Sequence, residues 1–269
     1  MTAISKEDKV AISGFLQQRL AGPVALDVWT REQSTILRTD RDPCTHCDET
    51  RELARELASL HPGISITLYD LDRHADRAAE AGIDRPPVTV IRARGRELRI
   101  IGYWSGGLFP PVVDALTFAA AGTTPLKDAT REVLAGLADD VELELLIVPY
   151  DPYSAQMLRL VAAFGVESRR VRVQVTEMAE FPLLAAARGL TEVPVLVLNG
   201  HRYVGAWEED DLVEQVRRVA AGDGAPVIRD RAPSSPFLTE DEALRLAAEA
   251  QQQDPQAAAP GGIVLPGNP

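Results

Sequence analysis

Four landmarks of this chain return at one fixed interval, which narrows the folds open to it more than any other feature. Cys44, Cys47, Gly82 and Pro87 stand 107 positions before Asp151, Ser154, Gly189 and Pro194. The apolar patterning repeats around them. Residues 7–20 have a helical period, and Pro23–Thr30 reads as a strand. A helix pattern runs from Cys44 to about Leu60, with Leu53, Leu57 and Leu60 on one face. Ile64–Leu68 alternates as a strand, and Arg73–Gly82 is a helix ending at a glycine stop. Val88–Ile91 turns at Arg94–Glu97 into Leu98–Ile101, and Leu108–Ala121 is a last helix. The order returns as strand Leu143–Val148, helix Ser154–Phe164, strand Val171–Val175 and helix Phe181–Gly189. A hairpin through Asn199-Gly200 and a helix from Glu209 to Ala221 close the second copy. Each copy reads β-α-β-α-β-β-α over about 100 residues, a period that means a duplicated domain rather than a solenoid.

Length agrees: 269 residues suit two domains of ordinary size. The expected division is 1–124, 125–222 and a tail over 223–269, where seven prolines and Gly261-Gly262 break the chain. Within that tail Thr239 to about Gln252 reads as a short helix, with Thr239 and Glu242 spaced as a capping box. The rest, including the apolar run Ile263-Val264-Leu265, reads as a mobile tail rather than a docking peptide. No apolar run is long enough to span a membrane. The charged first twenty residues do not resemble a secretory signal, so a cytoplasmic protein is expected. Forty acidic against 28 basic residues give a net charge of −12, which repels nucleic acid and anionic lipid.

The chemistry concentrates in one window. Both cysteines fall in Cys44-Thr45-His46-Cys47. A thiol at a helix start is stabilised as the thiolate by unpaired N–H groups and the helix dipole, below its free pKa of about 8.5. Cys47 is one turn on and within reach of Cys44. Cys44 is therefore read as the attacking thiolate and Cys47 as the resolving one. His46 between them offers a hydrogen bond or a positive charge, and stabilising the thiolate makes the disulfide a better oxidant. Zinc needs four ligands, but no other cysteine exists and His61, His74 and His201 lack ligand spacing. His61 and His74 read as surface residues, and no metal or organic cofactor is implied.

These features resemble the thioredoxin superfamily, and more closely the glutaredoxin-like protein disulfide oxidoreductases with two fused thioredoxin folds. The resemblance is carried by the Cys44–Cys47 motif, by Gly82 to Ile91 with Pro86-Pro87, and by Glu180-Phe181-Pro182. Val193-Pro194-Val195 through Asn199-Gly200 and Tyr203 to Ala206 add to it. It implies an α/β chain of two thioredoxin-like domains, each a mixed sheet flanked by helices. It also implies a cis-proline at Pro87 and at Pro194, and a substrate groove beside Thr45, Pro86, Pro87 and Trp104. The implied partners are protein or small disulfides, with a flavoprotein reductase or glutathione as electron donor.

Three departures stand out. Asp151-Pro152-Tyr153-Ser154 replaces a second C-x-x-C; Asp151 reads as a helix cap on a retired site rather than as part of a hydrolytic pair with Ser154. Pro86 has no N–H, so an extended substrate loses one backbone bond there. Residues 31–43 are longer than the family's usual entry to the site and bring Arg31, Arg38 and Arg41. Asp27 reads as an ordinary exposed position and Trp29 as core. Two other readings stay open on sequence alone: a non-catalytic adaptor that binds partners through its surfaces and tail, and a metal-binding domain.

Overall fold

The computed structural model describes residues 4–32, 44–228 and 232–253. A first group of elements runs α1 (Lys6–Arg19), β1 (Val24–Thr30), α2 (Cys47–Ser59), β2 (Ile64–Asp70) and α3 (Ala75–Glu80). It ends with β3 (Val88–Ala93), β4 (Arg96–Ile101), a 3-10 turn at Gly106–Leu108 and α4 (Phe109–Ala121). A second group follows: α5 (Asp128–Ala135), β5 (Val141–Ile147), α6 (Pro152–Glu167), β6 (Val171–Glu177) and α7 (Pro182–Ala187). It closes with β7 (Glu192–Val193), β8 (Val195–Leu198), β9 (His201–Val204) and α8 (Glu209–Ala220). Beyond it lie β10 (Ser235–Pro236) and α9 (Glu240–Gln253). The element α5 has no counterpart in the sequence reading.

The strands form one eight-stranded sheet, β2-β1-β3-β4-β6-β5-β8-β9. Its two halves have the same internal order, so the duplication is visible in the topology. Each half pairs its first two strands in parallel and its hairpin antiparallel. Both hairpins turn through two residues with positive φ, Arg94-Gly95 and Asn199-Gly200, the geometry that matches strand twist. The halves join where β4 pairs with β6 in parallel, from Leu98 opposite Val173 to Ile101 opposite Thr176. That junction covers two strand edges that would otherwise template aggregation.

One hydrophobic cluster runs through both halves, from Leu16, Val28 and Ile100 to Leu145, Phe164 and Val216. Each such side chain contributes roughly 1.5–3 kcal/mol on burial. Helices α4 and α6 pack against each other across the junction. Two smaller clusters lie beneath equivalent loops. One gathers Trp29, Tyr69, Ile83 and Val88; the other gathers Leu146, Met178, Leu190 and Val195.

The segment after α8 corrects the reading of a mobile tail from residue 223. Residues 232–239 lie on the second half, and β10 pairs antiparallel with β7. Glu242 accepts from the backbone N–H of Thr239, and Thr239 Oγ1 accepts from that of Glu242, which starts α9 as a capping box. Residues 254–269, with Ile263, Val264 and Leu265, lie outside the described residues. No helix among the described residues is long and apolar enough to cross a membrane.

Candidate redox site

Cys44 and Cys47 are joined by a disulfide, with Cα atoms 5.5 Å apart. The helix begins at Cys47 rather than at Cys44, because Cys44 to His46 form the turn that leads into it. Cys47 is fully buried, whereas Cys44 keeps 9% of its surface. The backbone N–H of Arg31, just past β1, donates to Cys47 Sγ at 3.0 Å. Arg31 therefore reaches the site through its main chain; its guanidinium Nε lies 3.4 Å from Asp72. Arg38 and Arg41 lie outside the described residues.

The Pro86–Pro87 and Val193–Pro194 peptides are both cis. Pro86 lines a cleft of about 630 Å³ together with Cys44, Thr45 and Arg85. The opposite wall comes from the second half of the chain: Glu180, Phe181 and the exposed Leu183. Arg85 lies over the Phe181 ring at 5.6 Å, a cation–π contact between the two halves of the chain.

Glu180 is the residue that sequence reasoning left without a role. Its side chain is 2% exposed, and its Oε2 accepts the Tyr103 N–H at 2.9 Å. Its Oε1 accepts the His46 N–H at 3.4 Å and stands 3.6 Å from His46 Nδ1. The last distance is an ion-pair contact rather than a hydrogen bond. The Glu180 carboxylate outweighs the effect of burial and holds the His46 pKa above its ordinary value, with a further contribution from Glu240. Glu240, at the start of α9, lies 3.5 Å from His46 Nε2, and the imidazole stacks on Tyr103. His46 thus stands between two carboxylates that favour its charged form, two residues from Cys44. A local signal for Glu180 existed: it is the one charge in the run Met178 to Pro182, between a strand and a helix.

Behind Glu180 stands Glu177, 4% exposed, which accepts the N–H groups of Ala179 and Glu180. Burial pushes its carboxyl up to about 8 despite those two donors, which favour the charged form. Gly102 makes room for this turn. Its φ is +97°, and a Cβ there would lie 2.7 Å from Glu177 Cβ.

Other sequence-derived candidates fall elsewhere. Trp104 does not line the groove: it is fully buried, stacks on Phe109 and donates to Thr89 Oγ1 at 2.9 Å. Its neighbour Tyr103 is the aromatic ring at the site. Asp27, expected to be exposed, is 6% exposed and pairs with Arg92 at 2.6 Å. Trp29 lies in the core, stacked on Tyr69. His61 Nδ1 accepts the N–H of Gly63, and His74 Nδ1 lies 3.0 Å from the Asp70 carbonyl. Among the described residues no cluster of histidine, cysteine and carboxylate side chains has the geometry to hold a metal.

At the equivalent place in the second half, Asp151 caps α6 by accepting the Ser154 N–H at 2.7 Å. Ser154 Oγ donates to the same carboxylate at 2.6 Å and accepts the N–H of Val148 at 3.3 Å. Val148 follows β5 as Arg31 follows β1, so Ser154 takes over the hydrogen bond that Cys47 receives.

No family model matches this sequence. No curated protein matches it either. Solved structures do share its fold. A protein disulfide oxidoreductase from Aeropyrum pernix superposes with a TM-score of 0.72 over 84% of this chain and 97% of its own, at 22% identity. An N-terminal domain of the alkylhydroperoxide reductase AhpF from Enterococcus faecalis gives 0.69, covering 79% of this chain and 99% of its own, at 16% identity. The architecture is that of thioredoxin-fold proteins, a mixed sheet flanked by helices.

Proposed function

We propose that this chain is a thiol–disulfide oxidoreductase working through Cys44 and Cys47. The observation that carries the reading is an asymmetric disulfide: Cys44 lines a cleft beside a cis peptide and keeps 9% of its surface, whereas Cys47 is fully buried. Only Cys44 is placed to meet an incoming sulfur. In the reductive direction the Cys44 thiolate bonds to one sulfur of a substrate disulfide, and the other sulfur leaves as a thiolate. Cys47 then attacks Cys44 Sγ, closing the internal disulfide and releasing the second substrate sulfur as a thiolate. Two electrons pass from the dithiol to the substrate. The imidazolium of His46 stabilises the thiolate, and the Arg31 N–H holds Cys47 Sγ in place for its attack.

In this reading residues 1–124 are the working unit, and 125–222 a degenerate copy that has kept the fold and lost the sulfurs. Thr45, Pro86 and Pro87 border the substrate, which is a protein or small disulfide. A flavoprotein reductase or glutathione returns the electrons in the cytoplasm. The fold shared with a protein disulfide oxidoreductase supports the assignment.

Reduction of insulin disulfides by dithiothreitol tests it. Wild-type protein accelerates the reaction, and Cys44→Ser abolishes the acceleration. A Cys44→Ser protein as active as wild type would leave the chain a binding module.

A further inference from the structure

The second half is not an empty copy of the groove: the chain fills it with its own segment. Ser235 pairs with Val193, the residue before cis-Pro194. The N–H of Phe237 donates to the Thr191 carbonyl at 2.9 Å, and Phe237 packs on the cluster around Leu190. Ser235 Oγ donates to Asp151 Oδ1 at 2.6 Å. Because Asp151 stands where Cys44 stands, Ser235 occupies the place of a substrate cysteine in a mixed disulfide. The molecule thus carries a bound extended segment, Ser234 to Phe237, as a template for the ligand of its own active cleft.

Transferring that template by the 107-residue interval puts Asp84, Arg85 and Pro86 where Thr191, Glu192 and Val193 stand. One substitution changes the chemistry. Ser234 Oγ donates to Glu192 Oε1 at 3.2 Å in the filled groove. In the open cleft the residue equivalent to Glu192 is Arg85, a donor with no acceptor, whose guanidinium lies over Phe181 on the edge of the cleft. The upstream limit also differs. In the filled groove the Ala206 N–H donates to the Pro233 carbonyl at 2.7 Å, whereas the equivalent Tyr103 N–H is taken by Glu180. A substrate therefore begins its contacts at the residue before its cysteine.

Resting on the oxidoreductase reading, we infer that the active cleft selects an extended peptide in which an acidic residue immediately precedes the reactive cysteine, its carboxylate pairing with Arg85. Asp84 takes the backbone N–H two residues after the cysteine, as Thr191 does for Phe237.

The test uses full-length Cys47→Ser protein, reduced, and acetylated peptides Glu-Cys-Pro-Phe-Leu, Gln-Cys-Pro-Phe-Leu and Lys-Cys-Pro-Phe-Leu. Each peptide cysteine carries 5-thio-2-nitrobenzoate in a disulfide. Cys44 attacks the peptide sulfur and releases the coloured thiolate, so each rate is read directly. Dividing by the rate with N-acetylcysteine removes the intrinsic effect of peptide charge. The expected order is Glu over Gln over Lys, with Glu ahead of Gln by up to about five-fold at low salt. The order reverses in an Arg85→Glu protein and flattens as salt rises. Equal normalised rates, or an order unchanged by Arg85→Glu, overturn this specificity while leaving the oxidoreductase intact. Failure of all three peptides to react beyond the N-acetylcysteine rate overturns both.

Discussion

The two halves of this molecule hold the same backbone and opposite chemistry. At the head of α2 two sulfurs share a covalent bond; at the head of α6 an aspartate and a serine share a hydrogen bond in the same place. Around them the backbone matches to the level of single donors. The residue after the first strand gives its N–H to Cys47 or to Ser154, and Gly102 or Gly205 gives its own to the cis-proline carbonyl at 2.8 Å. The fold asks for a small acceptor at the helix head and does not ask for sulfur. Where the second half has no sulfur, it has contacts. Its groove is filled by 233–237, and its β6–α7 turn supplies Glu180 and Phe181 to the other half's cleft.

The largest effect that would break this comparison concerns occlusion. Asp151→Cys with Ser154→Cys, in a Cys44→Ser, Cys47→Ser background, restores a dithiol at the second helix head. With Ser235 seated on position 151, that protein forms its disulfide yet gives no insulin reduction above background. Turnover approaching wild type would show that the tail does not close the groove in solution. A sharper version places Asp151→Cys with Ser235→Cys in the same background. The bond expected between positions 151 and 235 is read as a cross-linked peptide after proteolysis without reductant.

The next effect is on stability against pH. Glu177 has an acid pKa raised to about 8 in the folded chain against 4.5 when unfolded. The folded state therefore holds this proton more tightly. The resulting stability is fully present below pH 4.5 and is lost as pH rises through about 8. The loss is on the order of 4 kcal/mol. Urea unfolding at pH 5, 7 and 9 measures it, and Glu177→Gln flattens the profile. A wild-type curve as flat as that of Glu177→Gln would mean that the carboxylate stays charged when folded.

A smaller effect follows for His46. Its pKa is raised, so its contribution is whole below 6.5 and fades as pH climbs through the folded value. Glu180→Gln removes the main partner. The imidazole pKa, followed by proton NMR, falls back toward 6.5, and the protein loses about 1–2 kcal/mol at pH 5. An unmoved imidazole would transfer the role to Glu240.

Much of this was legible in the sequence because the repeat made each half a check on the other. The C-x-x-C at a helix head, the prolines before β3 and β8 and both hairpin turns rest on local residue chemistry. The illegible parts are those that join distant segments. The pairing of β4 with β6 depends on two alternating strands whose pattern names no partner. Glu180 meets His46 and Tyr103 across 134 and 77 positions, and no periodicity encodes that. Trp104 misled because a tryptophan next to an active-site loop has two places to go, and Thr89 Oγ1 offered its indole N–H a buried acceptor. Segment 232–239 reads as loop from its prolines, yet short extended stretches between prolines suit edge pairing, and β7 was free to receive one.

The finest distinction between the grooves is one N–H group. Val193 has a donor facing Ser235, whereas Pro86 has none to give a substrate. Replacing Pro86 with valine copies the second half's own solution, so the residue suits the backbone it enters. The new N–H gives an extended ligand one more neutral hydrogen bond, worth about 0.5–1.5 kcal/mol net. In a Cys47→Ser protein the mixed disulfide of Cys44 with Glu-Cys-Pro-Phe-Leu is then favoured over that with glutathione by roughly two- to ten-fold more than with Pro86 present. The exchange equilibrium is read by mass spectrometry of the intact protein at fixed peptide and glutathione ratios. An unchanged equilibrium would mean that the ligand does not run along 84–86 in the register of 234–237, and the filled groove would lose its standing as a template for the open one.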